Sequence, residues 1–178
     1  PMKLFAAEMT ERLNGMGMGE RFFPAVSRAN RDIRFSKDKS PYKDRKWVVF
    51  NYGENRWQEK CCFYFEVAPE GWCAGMGFYD AKSDYMARYR KKLSADPAGL
   101  KRLEKKLKSQ DIYKTDVWMY KKKFAPEGVS EELAKWYQYK NLAFTSDFKI
   151  DDNLFDRSIL DEVQEGFEFL KPFFIYFK

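Results

Sequence analysis

The sequence predicts an α+β fold, with an antiparallel meander sheet at its core and helices packed mainly on one face. Three observations predict it. Between residues 47 and 79 lie three short segments rich in aromatic and β-branched residues, WVVFNY, KCCFYFEV and CAGMGFY, divided by the turn-forming GENRWQ and APEGW. Segments with helical apolar spacing stand before and after them. The 178 residues hold 17 Phe, 11 Tyr and 5 Trp, enough bulk for one core, so residues 1–178 are expected to form a single domain.

Each element follows from local pattern. In MKLFAAEMTERL, Leu4, Phe5, Met9 and Leu13 share a helical face. GMGMGE lacks a preceding strand and a Walker Lys-Ser/Thr, so it reads as a flexible turn rather than a phosphate loop. Phe22, Phe23 and Val26 open a new apolar segment. Strands are expected at 47–52, 60–67 and 73–79. Gly75 and Gly77 leave two positions on one face of the third strand without side chains, and the commoner cause is close approach by a helix, the other a ligand. Residues 83–93 read as a helix capped by Ser83, with Met86, Tyr89 and Leu93 inward. The next helix has Pro97 in its first turn and Leu100, Leu103 and Leu107 inward; its Lys-rich face, with a Glu104–Lys108 i,i+4 pair, reads as solvated. A strand at 115–120, a loop closed by Pro126 and Gly128, and a short helix capped by Ser130 follow. Residues 141–150 are a strand pair or an extended segment. The last helix starts near Ser158, spaced from Asp161 as in a capping box, and buries Ile159, Val163, Phe167 and Leu170.

Composition excludes several chemistries. There is no histidine, which removes Ser-His-Asp and Cys-His catalysis, His-ligated zinc and an imidazole acid or base. Cys61, Cys62 and Cys73 have no metal-ligand spacing and read as free, buried or half-buried thiols of a reducing compartment. Asp151 and Asp152 diverge on a loop, and Glu66, Glu70 and Asp80 lie along or beside strands without metal spacing. No metal and no cofactor are therefore expected. No apolar run approaches the roughly 18 residues of a membrane span, and no export signal opens the chain, so the protein is expected to be soluble and cytoplasmic, without a membrane partner. A formal charge of +6 permits nucleic acid as a partner without favouring it. Oligomeric state is left open.

The most informative stretch is RANRDIRFSKDKSPYK, residues 28–43. It holds six cations, Arg28, Arg31, Arg34, Lys37, Lys39 and Lys43, against two acids, Asp32 and Asp38. Ile33, Phe35 and Tyr42 are interleaved, which places the charges near a packed surface. If 31–35 is extended, Ile33 and Phe35 share one face while Asp32 and Arg34 share the other. If the preceding turn is helical, Arg28 and Arg31 align instead. Pro41 turns DKSPYK away from helix.

Arg28, Arg31, Asp32, Arg34, Phe35, Asp38, Lys39 and Tyr42 fill a pattern of Arg-x-x-Arg-Asp-x-Arg-Phe followed by Asp-Lys-x-x-Tyr. In this the chain resembles the domain-of-unknown-function family 2461. Looser similarity runs on through Gly75 to Tyr79, Arg90, Pro126, Gly128 and Lys140, so the resemblance covers most of the chain. It implies a further N-terminal segment with an Asn-Asn and Trp-Phe pattern that this sequence does not contain. It implies no activity, cofactor or catalytic residue.

Three readings of the basic stretch stand. In one, Arg28, Arg31, Arg34, Lys39, Tyr42 and Lys43 bind the phosphate or carboxylate of a small molecule, with Asp32 and Asp38 orienting the arginines. Catalysis there would need Tyr42 or Lys39 to move protons with a shifted pKa, since both titrate near pH 10 when free. In another, the stretch joins Lys101–Lys108 and Lys121–Lys123 in a nucleic-acid or protein-binding face, with Trp57, Trp72, Tyr113 or Trp136 as stacking surfaces. In the third, the charges form an internal ion-pair network. Whether the protein is an enzyme does not follow from any of them.

Overall fold

A computed structural model describes residues 1–178 except Ile33, Phe35, Ser36, Asp38, 55–58 and Asp80. Five α-helices and six strands follow one another among the described residues. They are α1 (Met2–Gly15), β1 (Phe22–Val26), β2 (Lys46–Tyr52), β3 (Cys62–Ala68), β4 (Gly71–Phe78), α2 (Ser83–Ala95), α3 (Pro97–Lys108), β5 (Lys114–Met119), α4 (Glu131–Tyr137), β6 (Tyr139–Phe148) and α5 (Ser158–Phe177). The strands form one antiparallel sheet in the order β1-β2-β3-β4-β6-β5. The first four make the expected meander. Residues 139–148 are a single ten-residue strand that enters between β4 and β5, leaving β5 on the edge.

Alternation along the strands divides the sheet into two unlike faces. On one, Phe50, Phe63 and Phe144 are fully buried against Phe167, Phe173 and Phe174 of α5. Ring centroids of Phe63 and Phe174 lie 5.1 Å apart, and those of Phe144 and Phe173 lie 4.7 Å apart. Burying each such ring contributes about 1.5–3 kcal/mol, which makes this layer the main source of stability. Tyr85 and Tyr89 of α2 join it around Phe78. The other face carries Trp47, Val49, Cys62, Tyr64, Glu66, Cys73, Gly75 and Gly77, and among the described residues no helix packs on it. The helix-approach explanation of Gly75 and Gly77 is thereby corrected: α5 meets β4 from the opposite side, and Gly75 is crowded by Tyr64 and by the backbone of β6.

Several local expectations change. Phe22–Val26 is a strand despite Pro24, which an edge position tolerates. Ser83 and Ser158 are first helical residues rather than caps: Lys82 and Arg157 hold the cap positions without side-chain bonds. The Ser158 amide instead donates to Asp156 Oδ1 at 3.0 Å. Ser130 does occupy the cap position of α4, again without a side-chain bond, whereas Asp96 caps α3 by accepting from the Gly99 amide at 2.8 Å. Glu104 is buried and its close partner is Lys135 of α4, at 2.6 Å, with Lys108 at 3.9 Å. All three cysteines are free, Cys61 and Cys62 buried and Cys73 half-buried. No helix among the described residues is long and apolar enough to cross a membrane.

Candidate functional site

The basic stretch is an arm that prolongs β1 and β2 beyond the sheet. Val26 pairs with Val48, and next to them the Ser27 amide donates to Trp47 O at 2.8 Å while the Trp47 amide donates to Ser27 Oγ at 3.1 Å. Two further rungs follow, Lys43 N to Ala29 O at 2.9 Å and Arg31 N to Pro41 O at 3.0 Å, with Asn30 opposite Tyr42. Residues 29–31 are thus ladder-paired, and Arg28 and Arg31 do not align as on a helical turn.

The arm distributes its side chains. Arg34 forks onto Asp32, with Nε donating to Oδ1 at 2.9 Å and Nη2 to Oδ2 at 2.6 Å. The guanidinium beside Asp32 holds that carboxyl below its usual range. Both side chains are well exposed, so solvent screens the pair and it braces little. Tyr42 is 65 % exposed, and Lys39 also faces solvent. Lys43 folds back, its ammonium 4.2 Å from the centroid of the Trp47 ring. Arg31 is half-buried. Asp38, Ile33, Phe35, Trp57 and Asp80 lie outside the described residues.

At the root of the arm is a recess of about 510 Å³, lined by Lys3 of α1, Val26 to Asn30, and Lys46 of β2. Among the described residues, Arg28 is the one member of the sequence-derived set that lines it. Lys46 donates its ammonium to Ser27 O. Three cations and no carboxylate line this recess among the described residues. Lys3 escaped sequence reasoning because it stands alone among the cations of its segment, and Lys46 because it lies just beyond the basic stretch; the packing of α1 against β1 unites them.

A larger concavity of about 860 Å³ covers the helix-free face of the sheet. Strand register lays its side chains in rows. Trp47, Glu66, Cys73 and Asp147 follow one another across four strands. Next come Val49, Tyr64, Gly75, Thr145 and Lys114, then Cys62, Gly77, Ala143 and Asp116. Arg45 reaches Glu66 at 3.2 Å. Burial pushes the Tyr64 phenol above its usual range, with partial relief from the Thr145 hydroxyl. Burial, with Glu66 and Asp147 nearby, pushes the Cys73 thiol up to about 12, and burial pushes Cys62 up to about 12 as well. At neutral pH both remain thiols, so neither is an activated nucleophile. Among the described residues no group of His, Cys, Asp and Glu is arranged to hold a metal ion. The only sequence signals of this concavity were strand alternation and the Gly75–Gly77 pair.

The stacking surfaces expected of a polymer-binding face are corrected by burial. Trp72, Tyr113 and Trp136 are 3 %, 8 % and 1 % exposed, since each packs in the helix-side core.

A family described as conserved hypothetical protein (DUF2461) matches residues 1–176. The chain belongs to this family. No curated protein matches it. In this DUF2461 chain the described signature residues all sit on the arm. The looser points of resemblance lie apart from it. Gly75 and Gly77 are on the helix-free face, and Tyr79, just past the end of β4, lines the same concavity. Arg90 of α2 donates through Nε to Tyr137 O at 2.9 Å, with its guanidinium 3.9 Å from the Phe124 ring. Gly128 takes a left-handed φ of 82° in the turn after Pro126.

Proposed function

We propose that this protein binds a phosphorylated or carboxylated small molecule at the root of the basic arm. The observation that carries the reading is the recess lined by Lys3, Arg28 and Lys46 without a carboxylate. An anion entering it meets one guanidinium able to form a bidentate contact and two point charges. Arg31 and Lys43, on the adjoining rungs, and Lys39, further out, extend the same positive field, and Tyr42, between those rungs, adds a hydroxyl donor. Asp32 keeps Arg34 in a fixed orientation at the solvent side.

A second reading draws on the exposure of the outer arm. Arg34, Lys39 and Tyr42 face solvent, which suits the phosphate backbone of a nucleic acid better than a small ligand. Thermal-shift titration separates the two. Inorganic phosphate, phosphorylated and carboxylated metabolites and short oligonucleotides are added to wild type, Arg28→Ala and Arg34→Ala. The small-molecule reading expects stabilisation by a small anion that Arg28→Ala abolishes and Arg34→Ala leaves in place. Oligonucleotide binding that weakens steeply with salt and is lost in Arg34→Ala would establish the second reading instead. Identical responses from all three proteins would remove the arm as a binding locus.

A further inference from the structure

A third cavity, of about 430 Å³, opens between α2, the last turn of α5, residues 52–54 and Lys60. Four of the residues lining it are tyrosines, Tyr52, Tyr85, Tyr89 and Tyr176. Three of these hydroxyls already donate to backbone carbonyls, Tyr85 to Phe177 O at 2.9 Å, Tyr89 to Trp136 O at 3.0 Å and Tyr176 to Asp96 O at 2.8 Å. Those bonds fix three of the rings, so these present ring surface rather than hydrogen-bond donors. Cations already lie over part of the tyrosine surface, with Lys60 4.3 Å from the Tyr52 centroid, Arg88 5.9 Å from that of Tyr85 and Lys92 5.2 Å from that of Tyr176.

The charges around it are unbalanced. Lys60 lines the cavity and is only 7 % exposed. Its ammonium donates to Tyr52 O and lies 4.3 Å from the Tyr52 ring centroid, with no carboxylate in ion-pair range among the described residues. Arg88 and Lys92 stand one turn apart on the same exposed face of α2, a spacing at which like charges repel. Neither makes an ion pair among the described residues. The fourth cation, Lys178, is engaged by Glu20 at 3.2 Å and by Met18 O at 2.8 Å. Glu54 is the one remaining acid among the described residues of the lining. A buried ammonium without a counter-ion is costly, and burial accordingly lowers the pKa of Lys60. A bound anion would relieve the Lys60 penalty and the Arg88–Lys92 repulsion together.

We propose that this cavity binds a small organic anion with a flat apolar body, its carboxylate or phosphate set among Lys60, Arg88 and Lys92 and its body against the tyrosine rings. The volume is at the lower end of the range for ligand pockets, which fits a one-ring molecule. The site is independent of the arm.

Calorimetric titration with phenyl phosphate, benzoate and benzyl alcohol tests it. Both anions share a ring with the neutral alcohol, so the comparison isolates the charge, and the tighter anion identifies the headgroup. The expected result is saturable binding of at least one anion, tenfold or more tighter than benzyl alcohol. That binding should weaken at least tenfold in Lys60→Met and in the double variant Arg88→Ala/Lys92→Ala, and be unchanged in Arg28→Ala. The double variant alters exposed side chains only, so it carries the test should Lys60→Met disturb the fold. Absence of anion binding, equal affinity for the alcohol, or an unchanged affinity in the double variant would overturn the proposal. Loss in Arg28→Ala with the double variant unaffected would assign the anion to the arm recess instead.

Discussion

Tyr64 lies across Gly75 on the neighbouring strand, so close that a Cβ added there would sit 2.8 Å from the phenol oxygen. The same Cβ would collide with the carbonyl of Phe144 on β6. Gly75 is therefore fixed from two sides, by a side chain that can move and a backbone that cannot. Gly75→Ala should cost about 1–3 kcal/mol, as overpacking of an interior does. For a chain of this size that is a fall of about 2–4 °C in Tm per kcal/mol. Because the carbonyl clash persists, Tyr64→Ala in the same chain should not restore stability. A Gly75→Ala protein melting with wild type would show that β6 gives way easily.

Thiol reactivity tests the chemistry of the helix-free face. Cys62 and Cys73 are held near 12 and Cys61 is pushed up well above the ordinary range, all chiefly by burial. Alkylation needs the thiolate. Iodoacetamide at pH 7.5 should label the folded protein many-fold more slowly than the urea-unfolded chain, with half-buried Cys73 the first to react. Rapid stoichiometric labelling of native Cys73, read by peptide mass, would contradict the burial described for that row.

Alkaline pH should destabilise the protein, and the sign follows from the same burial. Three thiols and the phenols of Tyr52, Tyr64, Tyr85, Tyr89, Tyr113, Tyr139 and Tyr176 all have folded values raised above their free ones. Above about pH 8.5 for cysteine and 10 for tyrosine the unfolded chain loses protons that the folded chain still holds. Stability then falls as pH rises. Lys60 works in the opposite direction: its folded value is lowered, so the unfolded chain binds the extra proton below about 10.4 and rising pH favours folding. One amine is set against ten acids, and the acids prevail. Melting curves at pH 7, 9 and 10.5 should show a progressive drop, and a flat profile would mean the phenols reach water.

Much of this fold is legible in the sequence, and the limits have identifiable causes. Aromatic alternation in WVVFNY and KCCFYFEV marks β2 and β3, because a half-buried strand must alternate. It also implies a helix-free face, yet the 860 Å³ concavity on it draws on residues from Arg45 to Asp147, and register between distant strands has no local signal. The entry of β6 between β4 and β5 is invisible for the same reason. Pro24 hides β1, since proline argues against a strand everywhere but at an edge. The arm was visible as charge density and as the turn-forming DKSPYK, but its pairing as a prolongation of β1 and β2 depends on Ser27 meeting Trp47. Lys60 carried no signal at all: a single lysine at a strand start reads as solvated, and only the fold brings its ammonium against the carbonyl and ring of Tyr52 at the end of β2.

Glu104 offers the sharpest case of a surface reading overturned by packing, and it yields a prediction about energetics. Its side chain is 4 % exposed, held by Lys135 at 2.6 Å and more distantly by Lys108, which is itself drawn to Glu132. A buried carboxylate that loses its partner retains the full cost of desolvation, whereas replacing both members of a pair with apolar residues removes that cost together with the attraction. Lys135→Met should therefore destabilise by a few kcal/mol at most, about 3–5 being the range for fully buried pairs and Lys135 being 43 % exposed. The double variant Glu104→Leu/Lys135→Met should recover most of that loss, because leucine carries no charge to desolvate at this buried position. Urea unfolding of the two single variants and the double supplies the full cycle. If the double variant is no more stable than Lys135→Met alone, Glu104 is held by more than its charge partner, and the ion-pair account of the α3–α4 contact fails.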